Sequence, residues 1–131
     1  MDPFVGEVRM VGFNFEPVGW LTCDGRILQV SQYQALFSLL GNIYGGNGTS
    51  TFALPDLRGR VPLHLGQGTG LTSRKLGDKG GSRSVVIVPK LADFTPGTQG
   101  IATGASGDSN LQPFTAVNFI ISYEGIYPPR S

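Results

Sequence analysis

The sequence predicts a mainly β fold with one short α-helix, and three observations carry that expectation. Gly (20 residues) and Pro (9 residues) recur in every region of the 131-residue chain, so few windows could hold an unbroken helix. Apolar residues arrive in short runs separated by turn residues, the rhythm of short strands. A single stretch, 31–41, shows a helical period. With 40% hydrophobic and 10% aromatic residues the chain has material for a core, and its length fits one domain over 1–131.

The elements follow in order. Within 5–30 the apolar residues fall into Val5, Val8, Met10 and Val11, then Phe13 and Phe15, then Trp20 and Leu21, then Ile27, Leu28 and Val30. This reads as three short strands with tight turns, Asp24-Gly25 being the dipeptide that primed hairpin turns favour, because glycine accepts positive φ. Ser31-Gln32-Tyr33-Gln34 has the form of a capping box, with Ser31 as the expected N-cap. Tyr33, Leu36, Phe37 and Leu40 then make one apolar stripe, and Gly41 supplies the stop. From 41 to 70 glycines alternate with Ile43, Tyr44, Phe52, Leu54, Leu57, Val61, Leu63 and Leu65, a segment expected to bury side chains at intervals without long strands. Ser84 to Val88 is a β-branched run expected to form a buried strand ended by Pro89. Residues 95–112 hold almost no large apolar side chain and four glycines; a polar loop that long is functional, disordered or ordered by another chain. Residues 114–123 return to β-prone composition.

Charge and motifs exclude several classes. Ten Lys and Arg against nine Asp and Glu give a formal charge of +1, which makes no electrostatic case for nucleic acid or an anionic membrane. Cys23 stands alone, so no intrachain disulfide forms, and beside Trp20 and Leu21 it reads as a small buried hydrophobe. The N-terminus carries Asp2 where a Sec signal would carry positive charge, and no apolar run approaches a membrane span. No Walker lysine, dinucleotide fingerprint or Gly-x-Ser-x-Gly elbow occurs. His64, the one histidine, lies between Leu63 and Leu65 and reads as a packed or half-exposed side chain. Asp24, Asp56, Asp93 and Asp108 could in principle supply a glycosidase-type pair, but Asp24 and Asp56 stand in turn contexts where an acid more often bonds local backbone. Neither a catalytic residue nor a metal or cofactor site is expected. Asn47-Gly48-Thr49 reads as a turn.

A set of motifs does speak together: Gly6-Glu7-Val8-Arg9; Pro17-Val18-Gly19-Trp20-Leu21-Thr22-Cys23-Asp24-Gly25; Leu36-Phe37-Ser38-Leu39-Leu40-Gly41; Tyr44-Gly45-Gly46-Asn47-Gly48; and Thr51-Phe52-Ala53-Leu54-Pro55-Asp56-Leu57-Arg58-Gly59-Arg60-Val61-Pro62. In this order they closely resemble the phage tail collar domain, also seen in stand-alone bacterial proteins named microcystin-dependent or MdpB-like. The resemblance continues through Gly77-Asp78-Lys79-Gly80-Gly81-Ser82, Asn110-Leu111-Gln112-Pro113-Phe114 and Val117-Asn118-Phe119-Ile120-Ile121. It implies a non-enzymatic module of tail fibres or fibre-like appendages, assembled as a homotrimer with intertwined Gly-rich segments. The implied location is a virion tail or extracellular appendage. Many relatives carry a Met-Pro-x-His-x-His segment where this chain reads Pro89-Lys90-Leu91-Ala92-Asp93, so a histidine-bound axial metal is not carried over.

The leading functional expectation is a structural or adhesive tail-fibre component, partnered by other tail or baseplate proteins. A lectin-like binder of bacterial surface glycans is the alternative, with a polysaccharide-cleaving enzyme behind it. Candidate contact residues are Arg74 and Lys75 in the cationic loop 73–83, and Asp93, Phe94, Asp108 and Asn110 near the polar loop.

Overall fold

The computed structural model describes residues 2–81 and 112–130. The chain divides into two compact units, Met1–Asp78 with Val117–Ser131, and Lys79–Ala116. In the first unit the elements run β1 (Val8–Val11), β2 (Trp20–Thr22), β3 (Ile27–Gln29), a 3-10 turn (Val30–Gln32), α1 (Gln34–Leu40), β4 (Thr51–Ala53) and β5 (Asn118–Ser122). The fold class is thus mainly β with one short helix. Two antiparallel sheets form, one in the order β1-β5-β2 and one pairing β3 with β4. The expected strand 84–88 and most of the polar loop 95–112 lie outside the described residues of the second unit.

The three strands of 5–30 are present, yet no hairpin joins β2 to β3. Residues 20–29 instead form one extended stretch that changes partner at Cys23. Before it, Leu21 lies opposite Ile121, and the Cys23 amide still donates to the Phe119 carbonyl, 2.9 Å. After it, the β3–β4 register continues outward through Leu54 N–H to Arg26 O (3.0 Å), Gly25 N–H to Pro55 O (3.2 Å) and Leu57 N–H to Cys23 O (3.0 Å). Asp24 therefore faces Asp56 across a bridge. Gly25 is needed there for close approach: at φ 76° its missing Cβ would stand 2.9 Å from the Asp56 Cβ.

The helix forms, but not from its expected cap. The Val30 amide donates to Ser50 O at 2.9 Å, extending the β3–β4 ladder by one residue. The following residues fold into the 3-10 turn, Tyr33 becomes the N-cap, and no side chain caps the helix. The ladder overrides the local motif, because it holds the chain one residue before Ser31. Gly41 ends α1 as expected, donating to Phe37 O at 2.7 Å. The stripe packs inward: Leu36 and Leu40 are buried, and the Phe37 ring tilts against Phe52 with centroids 5.4 Å apart. Tyr33 meets the edge of Tyr123 at 5.2 Å. Leu36, Phe52, Leu54 and Ile121 are the centre of the core, joined by Val5, Leu21, Cys23, Leu28 and Leu40. Each such side chain contributes roughly 1.5–3 kcal/mol on burial.

Residues 41–50 fold back over β4. Gly46, at φ 86°, lies so close to the Phe52 backbone that a Cβ would overlap it, and the Gly45 carbonyl accepts from Ala53 N–H at 3.0 Å. These glycines therefore serve packing within one chain. Asn47 holds the turn expected of it, its Oδ1 accepting the amides of Thr49, Ser50 and Thr51 at 2.8, 2.9 and 3.0 Å.

The expectation of intermittent burial fails beyond Leu57. After Arg60 N–H donates to Leu57 O (3.1 Å) the chain leaves the ladder, and among the described residues no strand lies beside it. Val61 is 79% exposed, Leu63 75% and Leu65 52%; Leu71 and Leu76 are exposed as well. His64 between them is exposed, not packed, with Nδ1 2.6 Å from Leu65 O. Two reciprocal bonds between Gly66 and Arg74 (2.7 and 2.9 Å) close a loop. The arm returns to the body at Gly77, where a Cβ would lie 2.5 Å from Ile43 Cγ2.

Candidate functional site

Two kinds of surface compete for a functional role in the first unit: a carboxylate cluster on the ladder and the uncovered arm. The cluster is built by two Asp-x-Arg triplets facing one another across the bridge. Arg26 grips Asp24, its backbone amide and Nε reaching Oδ1 at 3.2 and 3.0 Å and Nη2 reaching Oδ2 at 3.0 Å. Arg58 grips Asp56 the same way, at 3.2, 2.8 and 2.9 Å. Glu16 joins from the preceding loop, accepting Thr22 N–H at 3.0 Å and Arg26 Nη2 at 2.5 Å.

These bonds hold the chain, and they leave neither Asp24 nor Glu16 poised as an acid. The bonded Arg26 guanidinium keeps the Asp24 carboxyl below the usual carboxylate range, and the Thr22 amide, followed by Arg26, does the same for Glu16. A glycosidase general acid needs the opposite shift. Cys23 is buried, and that burial, reinforced by the Asp24 charge, pushes its thiol up to about 12, where it stays protonated and unreactive at neutral pH. An open depression beside it, of about 80 Å³, is lined by Thr22, Cys23, Leu57, Arg58, Val117, Asn118 and Phe119. That is below the usual size of an organic-ligand pocket, about 300–1,000 Å³. Among the described residues no three His, Cys, Asp or Glu gather as a metal-holding group, and no helix is long and apolar enough to cross a membrane.

Of the residues singled out by sequence, Arg74 and Lys75 lie exposed at the foot of the loop 66–74, with Lys75 N–H bonded to Asp78 Oδ2 at 2.8 Å. Asp93, Phe94, Asp108 and Asn110 lie outside the described residues. What sequence reasoning missed is the arm itself. Its signal was present as charge: residues 1–57 hold five acids and two cations, whereas 58–81 hold five cations and Asp78 as the one acid. Also unforeseen are a stacked, exposed Phe13–Phe15 pair with centroids 4.5 Å apart, and Arg9 lying 4.8 Å over the Trp20 ring.

The ladder, the helix laid against it and the loop folded over β4 are one continuous sequence block. Residues 6–62 match the phage tail collar domain family. The collar segment thus takes in β1 to β4 with α1, and stops two residues into the exposed arm. The collar domain is a structural family of phage tails. The chain is also similar to Protein RhiB of Rhizobium leguminosarum bv. viciae, 32% identical over 78 residues. That match covers 55% of this chain and 36% of RhiB, so the similarity spans about a third of the relative's length.

Proposed function

We propose that this protein is a structural and adhesive component of a phage tail fibre or a phage-tail-like bacterial appendage, working as a homotrimer without catalytic chemistry. The observation that carries the reading is the arm, which sets Val61, Leu63, Leu65 and Leu71 in solvent at and beyond the end of the collar segment. A monomeric surface rarely leaves such a run of large aliphatics uncovered. Burying each against another chain is worth roughly 1.5–3 kcal/mol, enough in sum to offset the cost of association. Neighbouring tail or baseplate proteins are the expected further partners, with a cell-surface glycan contacted through the cationic end of the arm, Arg74 and Lys75.

Light scattering on the purified chain tests the assembly. A mass three times 13.9 kDa is expected at micromolar concentration, and Leu63→Asp/Leu65→Asp should reduce it to one. A wild-type mass of one chain overturns the trimer.

A further inference from the structure

The arm has a complementary surface on its own chain, opposite to it in charge and built from the two chain termini and Val18. Phe4 and Ile126 lie side by side in a parallel bridge, tied by Val5 N–H to Ile126 O (2.9 Å) and Ile126 N–H to Pro3 O (2.8 Å). Gly125 lies so tightly against Pro3 O that no Cβ would fit. Next to it the Glu124 side chain covers Gly19, whose missing Cβ would be 3.3 Å from Oε2. Tyr123 N–H donates to Gly19 O at 3.0 Å, which brings Val18 to the same border. Val18 is 94% exposed, and Phe4, Ile126 and Tyr127 are each about half exposed. Asp2 and Glu124 are exposed there, and neither carboxylate makes an ion pair among the described residues.

Around Phe4, Val18 and Ile126 this edge is apolar and carries the carboxylates of Asp2 and Glu124, with Arg130 beyond Tyr127 as its cation, whereas the arm is apolar and basic. Arg60, Arg74 and Lys75 likewise make no ion pair among the described residues. Both surfaces belong to the same compact unit, and neither covers the other within one chain. We infer that the terminal edge, formed by Val18, Glu124, Ile126 and Phe4, receives the arm of a second copy, Val61, Leu63 and Leu65 meeting its apolar side chains while Arg60 faces its carboxylates. The inference rests on the self-assembly proposed above and adds the partner surface. Its contact is head-to-tail: each copy gives an arm and accepts one, so the contact can close into a ring. Opposite charge fixes which surface meets which and disfavours arm-on-arm packing, where cations would face cations.

A complementation experiment on the full chain tests it. Leu63→Asp/Leu65→Asp destroys the arm and leaves the edge, whereas Val18→Asp/Ile126→Asp destroys the edge and leaves the arm. Each alone should be monomeric by light scattering, with the circular dichroism of wild type. Mixed in equal amounts they should form a one-to-one dimer that grows no further, because one good contact remains per pair. Glu124→Gln in the arm variant should weaken that dimer roughly three- to tenfold at low salt and leave it unchanged near 1 M salt. An edge variant that keeps the wild-type mass, or a mixture that stays monomeric, overturns the docking while self-assembly of the wild type stands. Val18→Asp alone repeats the first of these with a side chain that has almost no contacts to lose. A wild-type chain that is itself monomeric overturns both readings.

Discussion

Residues 23–57 and residues 60–78 are made of the same materials and end in opposite states. Both mix glycines with large aliphatics. In the first region Phe52 and Leu54 are wholly buried and Gly25 and Gly46 admit neighbouring atoms where a Cβ would stand. In the second, Val61 and Leu63 are in solvent, and around Gly66 and Gly70 a Cβ would meet nothing within 4 Å. Composition does not separate the two regions; pairing does. From Gln29 opposite Thr51 out to Cys23 opposite Leu57 a ladder fixes which side chains point inward, and beyond Arg60 no second strand among the described residues does so.

The largest contrast should appear in stability. Phe52→Ala is expected to cost roughly 3–5 kcal/mol in denaturant unfolding, since it empties the centre of the core. In the monomeric Val18→Asp/Ile126→Asp background, Leu63→Ala should cost less than about 0.5 kcal/mol, because an exposed side chain has little burial to lose. Equal losses for the two would erase the distinction.

The glycines sharpen it next. Gly46→Ala pairs a left-handed backbone with overlap on the Phe52 main chain and should cost about 2–4 kcal/mol. Gly70→Ala, at φ 74° in open space, carries the backbone penalty alone, about 1–2 kcal/mol. Thermal melts of the two variants would show the order.

A smaller effect separates the regions by pH. Arg26 and the Thr22 amide hold Asp24 and Glu16 below their ordinary values, so the stability they contribute is fully present above roughly pH 4–5 and is lost as pH falls through the depressed folded values. Arg26→Ala should flatten that acid-side fall. Lys75→Ala in the arm should leave it as in wild type, a comparison that acid titration of the unfolding midpoint would read.

The smallest change concerns Cys23. Its thiol, pushed up to about 12 by burial, should react with a thiol reagent at neutral pH only as fast as the chain opens. A label introduced at an exposed arm position, Ser73→Cys, should react at once. Rapid modification of Cys23 in the folded chain would contradict its place in the core.

Much of the collar segment is legible in the sequence because its signals are local. The stripe of Leu36 and Leu40, the stop at Gly41, the turn at Asn47 and the burial of Cys23 each follow from residue type and spacing. Two local signals misled for one reason. The Asp24-Gly25 pair suggests a hairpin and Ser31 suggests a cap, but residues 23–30 are claimed by a segment twenty or more positions away. The Asp-x-Arg triplets are visible along the chain, while their meeting across the bridge depends on that register.

The sequence by itself determined the fold class, the single helix and the excess of cations after residue 57, since period, turn chemistry and charge are properties of neighbours along the chain. The tertiary structure alone decided that 20–29 serves two sheets and that Glu124 and Ile126 border Val18. It also decided that the aliphatics of 61–65 stand exposed among the described residues. Burial and complementarity belong to surfaces, and a surface exists only once distant segments have paired.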